Sequence, residues 1–286
     1  TSWYYAGNIN LYGHNQPEDK PLWSGTTVED VTDYLVDNQL FLLEKLKKDI
    51  IKLSNSGTQT LKFVDRTFNA NPKRANDILA FIKENYGKEI PQNVCFHFEI
   101  AGDILRKDTL DILETMPLGA VQLEIGMQSF NEETLKTINR KTNTKKLIEN
   151  IQKLISFKNM HIHIDLIAGL TGEDLESFRN SFNIGYSLKA QMLQMGFLKV
   201  LKGTPLSDMQ EQFGIVARDK APYEIISNDW LTSVELARLK TVEKMLDIYY
   251  NRGGFRNTTV FLMAKLDKNP FKLYEAIADF YYGKGY

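Results

Sequence analysis

The stretch HIHIDLIAG, residues 161–169, decides the fold because it reads as a strand with two unlike faces. Alternate residues of a strand share a face, so His161, His163 and Asp165 point one way and the aliphatic residues between them point the other way. The same division runs through VCFHFEI (94–100) and VQLEIGMQ (121–128). Three such strands predict a sheet whose apolar face packs on helices and whose polar face lines a wet interior that holds a polar ligand.

Two further strand-like runs extend this rhythm along the chain, LKFVD (61–65) and MLQMGFLKV (192–200). Each gap between successive runs is long enough for one helix, which is typical of serial β/α units with a parallel sheet. From about residue 207 the rhythm stops, and Thr232-x-x-Glu235 has the spacing of a helix capping box. The sequence therefore predicts an α/β fold, an incomplete parallel (β/α) barrel with a helical carboxy-terminal extension. The predicted domains are an amino-terminal segment with the first barrel helix (1–57), the barrel (58–206) and the extension (207–286).

Composition excludes several classes of protein. The 35 Lys and Arg residues balance 36 Asp and Glu residues, so no basic surface indicates nucleic acid as a partner. The longest apolar runs are far too short for a membrane span, and the amino terminus, TSWYYAGNINLYGHN, lacks the features of a signal peptide. We therefore expect a cytoplasmic protein without a membrane partner. The chain does not begin with Met, which favours a processed or shortened polypeptide.

Candidate ligand-binding residues follow from where the polar faces end. In parallel β/α architectures ligands bind at the carboxyl ends of the strands, where the last polar positions here are Asp65, Glu99, Gln128 and Asp165. One alternative is that these groups form a satisfied internal hydrogen-bond network, because unpaired carboxylates are costly to bury. Another is a metal site at His161 and His163, although metal-binding pairs usually lie nearer a strand's carboxyl end. Our primary expectation includes no metal ligand.

Five segments in chain order resemble the barrel of the radical S-adenosylmethionine (SAM) enzymes. They are FVDRTFN (63–69), FEIAGDIL (98–105), LEIGMQSFNEETLKTINRKTN (123–143), IDLIAGLTGEDLESF (164–178) and FLKVLKGTPL (197–206). The resemblance is greatest to members with an amino-terminal cobalamin-binding domain and to oxygen-independent coproporphyrinogen oxidases. It covers about residues 58–210 and implies SAM as cofactor, a [4Fe–4S] cluster, and cobalamin if the full-length protein has such an upstream domain.

The resemblance also implies roles for individual residues. In the coproporphyrinogen-oxidase-like branch a Gln at a strand end, an Arg twelve residues on and an Asp a further twenty-five on contact SAM, and Gln128, Arg140 and Asp165 have these separations. Arg140 then binds the methionyl carboxylate, Asp165 the ribose hydroxyls, and Gln128 either group. Glu99 resembles the carboxylate that meets the methionyl end. Asp65 stands where the family has a GGE-type motif for the amino group, but without the pair of glycines.

The cluster is the point at which this sequence departs from the family. Radical SAM enzymes hold a [4Fe–4S] cluster with three thiolates, usually in CxxxCxxC, and the sequence contains only Cys95. One cysteine also excludes an intrachain disulfide. The family's cluster loop would fall within residues 1–40, after a strand formed by WYYAGNI (3–9), and no cysteine occurs there. We expect Cys95, at the start of its strand, to be a small buried thiol.

These observations leave three functional hypotheses. The first is the barrel portion of a radical SAM enzyme that abstracts hydrogen from, or methylates, a small molecule, in an incomplete or altered version of an active enzyme. The second is a ligand-binding or scaffold homologue that has lost the cluster, and the third is a divalent-metal hydrolase that uses His161 and His163. The chain as it stands is not expected to cleave SAM. The substrate cannot be read from the sequence because the loops and tail carry no recognisable pocket code.

Overall fold

The computed structural model describes residues 42–266 and 268–285 of the 286-residue chain. The predicted strand at 3–9, the expected cluster loop and the start of the predicted first helix lie outside the described residues. The chain divides into two compact units, Thr1–Leu123 and Glu124–Tyr286. The boundary falls within the middle strand of a five-stranded sheet whose order is the chain order. No helix among the described residues is long and apolar enough to cross a membrane.

The first unit alternates strands and helices. A helix at 42–54 (α1) precedes β1 (Thr60–Lys62), α2 (Pro72–Asn85), β2 (Cys95–Ile100), α3 (Lys107–Glu114) and the beginning of β3 (Val121–Gln128). Strand β1 pairs with β2 in parallel, with Thr60 opposite Cys95 and Lys62 opposite His97. Short 3-10 turns follow β1 and β2, at Phe68–Ala70 and Gly102–Ile104.

Helix α2 begins with a side-chain cap and a proline. The Asn71 side chain accepts a hydrogen bond from the backbone N–H of Arg74 at 3.1 Å, and Pro72 occupies the first helical position, where no N–H is needed. The apolar residues that recur at i, i+3, i+4 and i+7 are all buried, namely Ala75, Ile78, Leu79 and Ile82. This stripe fixes the helix in the first unit by burying apolar surface.

The second unit continues the β/α alternation and adds a mainly helical tail. Its elements are the rest of β3, α4 (Glu132–Thr137), α5 (Thr144–Phe157), β4 (His161–Ala168), α6 (Leu175–Ser187), β5 (Met192–Phe197), α7 (Pro205–Asp208), β6 (Val216–Ala217), β7 (Ile225–Ser227), α8 (Ser233–Leu246), α9 (Arg256–Met263) and α10 (Pro270–Gly283). Strands β4 and β5 are parallel, from His163 opposite Met192 to Ala168 opposite Phe197. The predicted α/β class with a parallel sheet is confirmed.

Strand β4 has the two faces that its sequence predicts. Ile162, Ile164 and Leu166 are each 0% exposed, whereas His163 and Asp165 on the other face are half-buried. In β3 the same alternation runs through the whole strand, with the apolar positions buried and the positions from Gln122 to Gln128 half-buried. The polar side chains therefore lie on the face that is not packed against the helix layer.

The tail is only partly as predicted. The capping box at the start of α8 is present, since the backbone N–H of Glu235 donates to the Thr232 hydroxyl and the Glu235 carboxylate accepts from the Thr232 N–H. However, β6 and β7 form a small antiparallel sheet that the prediction of a helical extension did not include. Strands of two and three residues are too short to show a period-two pattern, so the sequence carries no signal for them.

A one-turn π-helix, Asp247–Asn251, follows α8 and binds the backbone at β5. The Asn251 amide accepts from the N–H of Leu193 at 3.0 Å and donates to the carbonyl of the same residue at 3.1 Å. The Tyr250 hydroxyl donates to the carbonyl of Ala190 at 2.5 Å, and burial raises the pKa of Tyr250 to about 12. The side chains of Asn251 and Tyr250 thus form hydrogen bonds with backbone groups of β5 and of the turn before it.

Candidate functional site

In the first unit an ion pair joins the ends of β1 and β2. The Lys62 ammonium lies 2.9 Å from the Glu99 carboxylate, and both side chains are partly exposed. Lys62 was not among the predicted site residues, although its position opposite His97 places it on the same polar face as Glu99. The resemblance implies that the Glu99 carboxylate meets the methionyl end of SAM, and this carboxylate has the Lys62 ammonium as a neighbour within its own unit.

Asp65 lies in a loop that is anchored at both ends. Before it, the backbone N–H of Phe63 donates to the carbonyl of His97 at 2.9 Å. After it, the buried Asn69 amide donates to the Ala101 carbonyl at 2.8 Å and accepts from the Ala101 N–H at 2.9 Å. The half-buried Asp65 is thus held in a defined loop beside the end of β2.

Two further polar side chains of this unit, Gln122 and His97, lie in contact on the polar face of the sheet. The Gln122 amide nitrogen lies 3.3 Å from Nδ1 of His97, and His97 is buried. Cys95, at the first residue of β2, is half-buried, and burial raises the pKa of its thiol. A raised pKa disfavours the thiolate, which is the form that binds metals and clusters.

In the second unit Gln128 and Arg140 meet beside Gly126. A Cβ atom added at Gly126 would lie 2.5 Å from Nε2 of Gln128 and 3.6 Å from Nη2 of Arg140, so with glycine here the Gln128 amide can lie against the backbone of β3. Gln128, the last residue of β3, has φ of 70°, a left-handed conformation that costs energy for any residue other than glycine. Such a strained strand end is frequent at ligand sites.

Arg140 is held at the end of β3 by a strong hydrogen bond. Its Nη2 donates to the carbonyl of Gly126 at 2.6 Å, and its backbone N–H donates to the carbonyl of Leu135 at 2.7 Å. Helix α4 sets this position because Asn131 caps it, accepting from the N–H groups of Glu133 and Thr134. The spacing of twelve residues from Gln128 to Arg140 therefore corresponds to one strand end, one short helix and a return to the same strand.

Asp165 completes the predicted set in this unit. It lies on the polar face of β4, three residues before the strand ends, and it is opposite Gln194 of β5. The structure thus brings Gln128 and Arg140 together and places Asp165 on the polar face of the next strand. Asp65 and Glu99 belong to the first unit.

A buried carboxyl group that the sequence analysis missed supports the turn after Gln128. Glu173 is 0% exposed, and its Oε1 accepts from the hydroxyl groups of Ser129 at 2.6 Å and Ser181 at 2.8 Å. These hydroxyls in turn accept from the backbone N–H groups of Asn131 and Phe130, at 2.9 and 3.0 Å. The only sequence signal was the position of Glu173 in the loop after β4.

The pKa of Glu173 reflects how deeply the side chain is buried. Burial raises the pKa of this carboxyl, because removal from water disfavours the charged form, and the hydroxyl groups of Ser129, Ser181 and Ser177 only partly oppose that effect. The β3 turn thus depends on a carboxyl group that is expensive to keep ionised.

The described residues do not suit every group that the resemblance implies. No cluster of three or more His, Cys, Asp or Glu side chains that could hold a metal occurs within 42–266 and 268–285. The 286 residues supply one thiol, so they do not fit a [4Fe–4S] cluster held by three thiolates. They do suit a polar ligand such as SAM, because the Gln128 amide and the Arg140 guanidinium, which can both bind polar groups, lie beside Gly126 near the end of β3.

Parts of the chain are similar to known proteins. The chain is 26% identical over 133 residues to anaerobilin synthase of Escherichia coli O157:H7, which is 46% of this chain and 30% of that protein. Among solved structures, the chain resembles coproporphyrinogen III oxidase (HemN) of Escherichia coli, a radical SAM enzyme. The superposition has a TM-score of 0.53 at 20% sequence identity, and it includes 73% of this chain and 45% of the HemN chain.

A third neighbour is the radical SAM methyltransferase TsrM of Kitasatospora setae, in a structure with cobalamin and a [4Fe–4S] cluster bound. It has a TM-score of 0.52 at 15% identity and covers 61% of this chain and 32% of that chain. The chain thus spans less than half the length of each of these three relatives.

Two family models match separate parts of the chain. Residues 211–286 match a family described as a protein of unknown function (DUF4080). Residues 31–183 match the Radical SAM superfamily, and this match covers more than half of the 286 residues. The chain therefore belongs to the Radical SAM superfamily.

Proposed function

We propose that this chain is the SAM-binding barrel of a radical SAM enzyme that acts on a small molecule in the cytoplasm. The observation that carries the proposal is the junction of Gly126, Gln128 and Arg140, where an amide and a guanidinium lie beside the backbone at the end of a parallel strand. Strand ends of this kind are where parallel β/α proteins bind their ligands.

Each side chain has a separate task in this proposal. A guanidinium has five N–H donors, so Arg140 can stay anchored to the Gly126 carbonyl and still present two donors to the methionyl carboxylate. Asp165 accepts from the ribose hydroxyls, and the Gln128 amide bonds to either end of the ligand. The roles that the resemblance implies for Glu99 and Asp65, which belong to the first unit, stay predictions.

The reaction itself needs groups beyond those that this chain supplies. In the family a [4Fe–4S] cluster provides the electron for SAM cleavage, and three thiolates hold it. Since these 286 residues contain one cysteine, the proposal assigns them binding and orientation of SAM. Cobalamin would be an additional ligand of an upstream domain, as the resemblance to cobalamin-linked enzymes suggests.

The experiment is a calorimetric titration of the purified chain with SAM and with 5′-methylthioadenosine, which has the ribose and adenine but no amino-acid end. We expect saturable binding of both. Replacing Asp165 by alanine should weaken both by about tenfold to a hundredfold, because a charge-assisted hydrogen bond contributes roughly 1.5–3 kcal/mol. Asp219→Ala, at an exposed acidic position of the same unit, is the matched control and should leave both affinities unchanged.

Two results would count against the proposal. The chain could show no saturable binding of SAM, which would favour a scaffold homologue. Alternatively, Asp165→Ala could bind both ligands as the wild type does while keeping its circular dichroism spectrum, which would remove Asp165 from the site.

A further inference from the structure

The end of β3 that carries Gln128 is a strained backbone turn. The backbone N–H of Ser129 donates to the carbonyl of Met127 at 2.9 Å, so the hydrogen bond closes a three-residue turn with Gln128 at its centre. With φ of 70° at the central residue, this is the rare and strained form of the γ-turn. Strain of this kind persists only where the surrounding structure holds it in place.

We propose that Glu173 is a positioning residue that holds this turn and thereby orients the Gln128 amide toward SAM. The inference rests on the proposed function, because the contact between Gln128 and SAM belongs to that proposal. Glu173 is 0% exposed and lies behind the turn, so its effect on a ligand passes through Ser129 and Gln128.

The first link between Glu173 and the turn is the Ser129 hydroxyl. It donates to Oε1 of Glu173 at 2.6 Å and accepts from the backbone N–H of Asn131 at 2.9 Å. Ser129 follows Gln128 directly, so a change in φ of Gln128 would move this hydroxyl away from the carboxyl. Keeping the hydrogen bond therefore keeps the turn in its strained form.

Helix α6 supplies a second link. The Ser181 hydroxyl donates to the same Oε1 at 2.8 Å and accepts from the backbone N–H of Phe130 at 3.0 Å. The Asn131 amide donates to the Ser177 hydroxyl of this helix at 2.8 Å. Because Ser129 and Ser181 are at most 2% exposed, water cannot replace the carboxyl as their common acceptor.

The turn decides where the Gln128 amide lies. Its Nε2 is 2.5 Å from the position that a Cβ atom of Gly126 would take, so the side chain lies back along β3. The Cβ atom of a residue turns with φ about the N–Cα bond. A Gln128 that relaxed to an extended φ would therefore carry its amide away from this position.

The test is a double-mutant cycle on SAM affinity, measured by calorimetric titration of the full chain. Glu173→Ala and Gln128→Ala should each weaken binding about tenfold, the loss of one ligand hydrogen bond. The double variant should also lose about tenfold, because both changes remove the same contact. Glu173→Gln keeps an acceptor oxygen and should recover most of the loss. The control Glu176→Ala, at an exposed side chain, should leave the affinity unchanged.

A second measurement needs no ligand. Nuclear magnetic resonance of the backbone reports φ of Gln128, which should be positive in the wild type and in Glu173→Gln and negative in Glu173→Ala. If Glu173→Ala fails to fold, Ser129→Ala takes its place, since it removes only the hydroxyl between the carboxyl and the turn. It should show the same change in φ and the same loss of affinity.

Several outcomes would overturn the inference. These are a positive φ of Gln128 in Glu173→Ala or Ser129→Ala, a SAM affinity that these variants do not change, and losses that multiply to about a hundredfold in the double variant. They leave the proposed function intact as long as the wild type binds SAM. A wild type without saturable SAM binding would remove the proposed function and the ligand role of Glu173 together.

Discussion

Replacement of Glu173 by alanine is expected to lower the free energy of unfolding of the chain by about 3 kcal/mol or more. The carboxyl is 0% exposed and accepts from the hydroxyls of Ser129 and Ser181, so the variant leaves two buried hydroxyls without their acceptor and opens a cavity. Glu173→Gln keeps an acceptor oxygen in the same place and should cost about 1 kcal/mol or less. Urea denaturation followed by circular dichroism measures both.

The control is Glu176→Ala, in the first turn of α6, three residues after Glu173. The Glu176 side chain is 84% exposed and pairs with Arg179, and exposed ion pairs contribute little. Its effect should stay within about 0.5 kcal/mol. A similar loss in Glu173→Ala and Glu176→Ala would contradict the assignment of Glu173 as the buried support of the β3 turn.

The pH dependence of stability follows from the same carboxyl. Burial raises the pKa of Glu173, so between its ordinary value and the raised one the native state binds more protons than the unfolded state. Stability contributed by this group is therefore present at low pH and is lost as pH rises through that window. Glu173→Gln cannot titrate, so its stability relative to the wild type should improve from pH 4 to neutral pH. A difference that does not change with pH would contradict this sign.

The largest expected effect on ligand binding is that of Arg140→Ala, which should weaken SAM binding by about a hundredfold. The substitution removes the guanidinium that we assign to the methionyl carboxylate, together with its 2.6 Å hydrogen bond to the Gly126 carbonyl. Arg140→Lys should recover only part of the loss, because an ammonium cannot make the two-pronged contact of a guanidinium.

A comparison of ligands separates the two roles of Arg140. 5′-Methylthioadenosine has no carboxylate, so its affinity should change by less than threefold in Arg140→Lys, in which a cation can still reach the Gly126 carbonyl. Equal losses for SAM and 5′-methylthioadenosine would mean that Arg140 only shapes the strand end. Unchanged SAM affinity in Arg140→Ala would place the carboxylate elsewhere.

Regular patterns made most of the fold predictable. The alternation in β4 and the capping residues Asn71 and Thr232 act locally, through strand geometry and through backbone N–H groups a few residues away. β1 is shorter than predicted, ending at Lys62, although its run continues to Asp65 in sequence. Beyond Phe63, whose N–H still bonds to β2, the chain turns to place Asn69 against Ala101.

The parts of the site that sequence reasoning missed depend on distant partners. Lys62 and Glu99 are 37 positions apart, and Ser129 and Glu173 are 44 apart, so no local pattern links them. The spacing from Gln128 to Arg140 could be recognised only because a family shares it. Whether these residues bind SAM stays a prediction that the titrations above decide.

The contact between Asn251 and Leu193 has a consequence for synthesis on the ribosome. The two residues are 58 positions apart, and the amide of Asn251 satisfies both backbone groups of Leu193. At roughly 5–20 residues per second, translation leaves these groups of the nascent strand without that amide for about 3–12 seconds. During that interval they can pair with another chain, so a nascent polypeptide that stops before residue 251 is expected to aggregate more readily than the full chain.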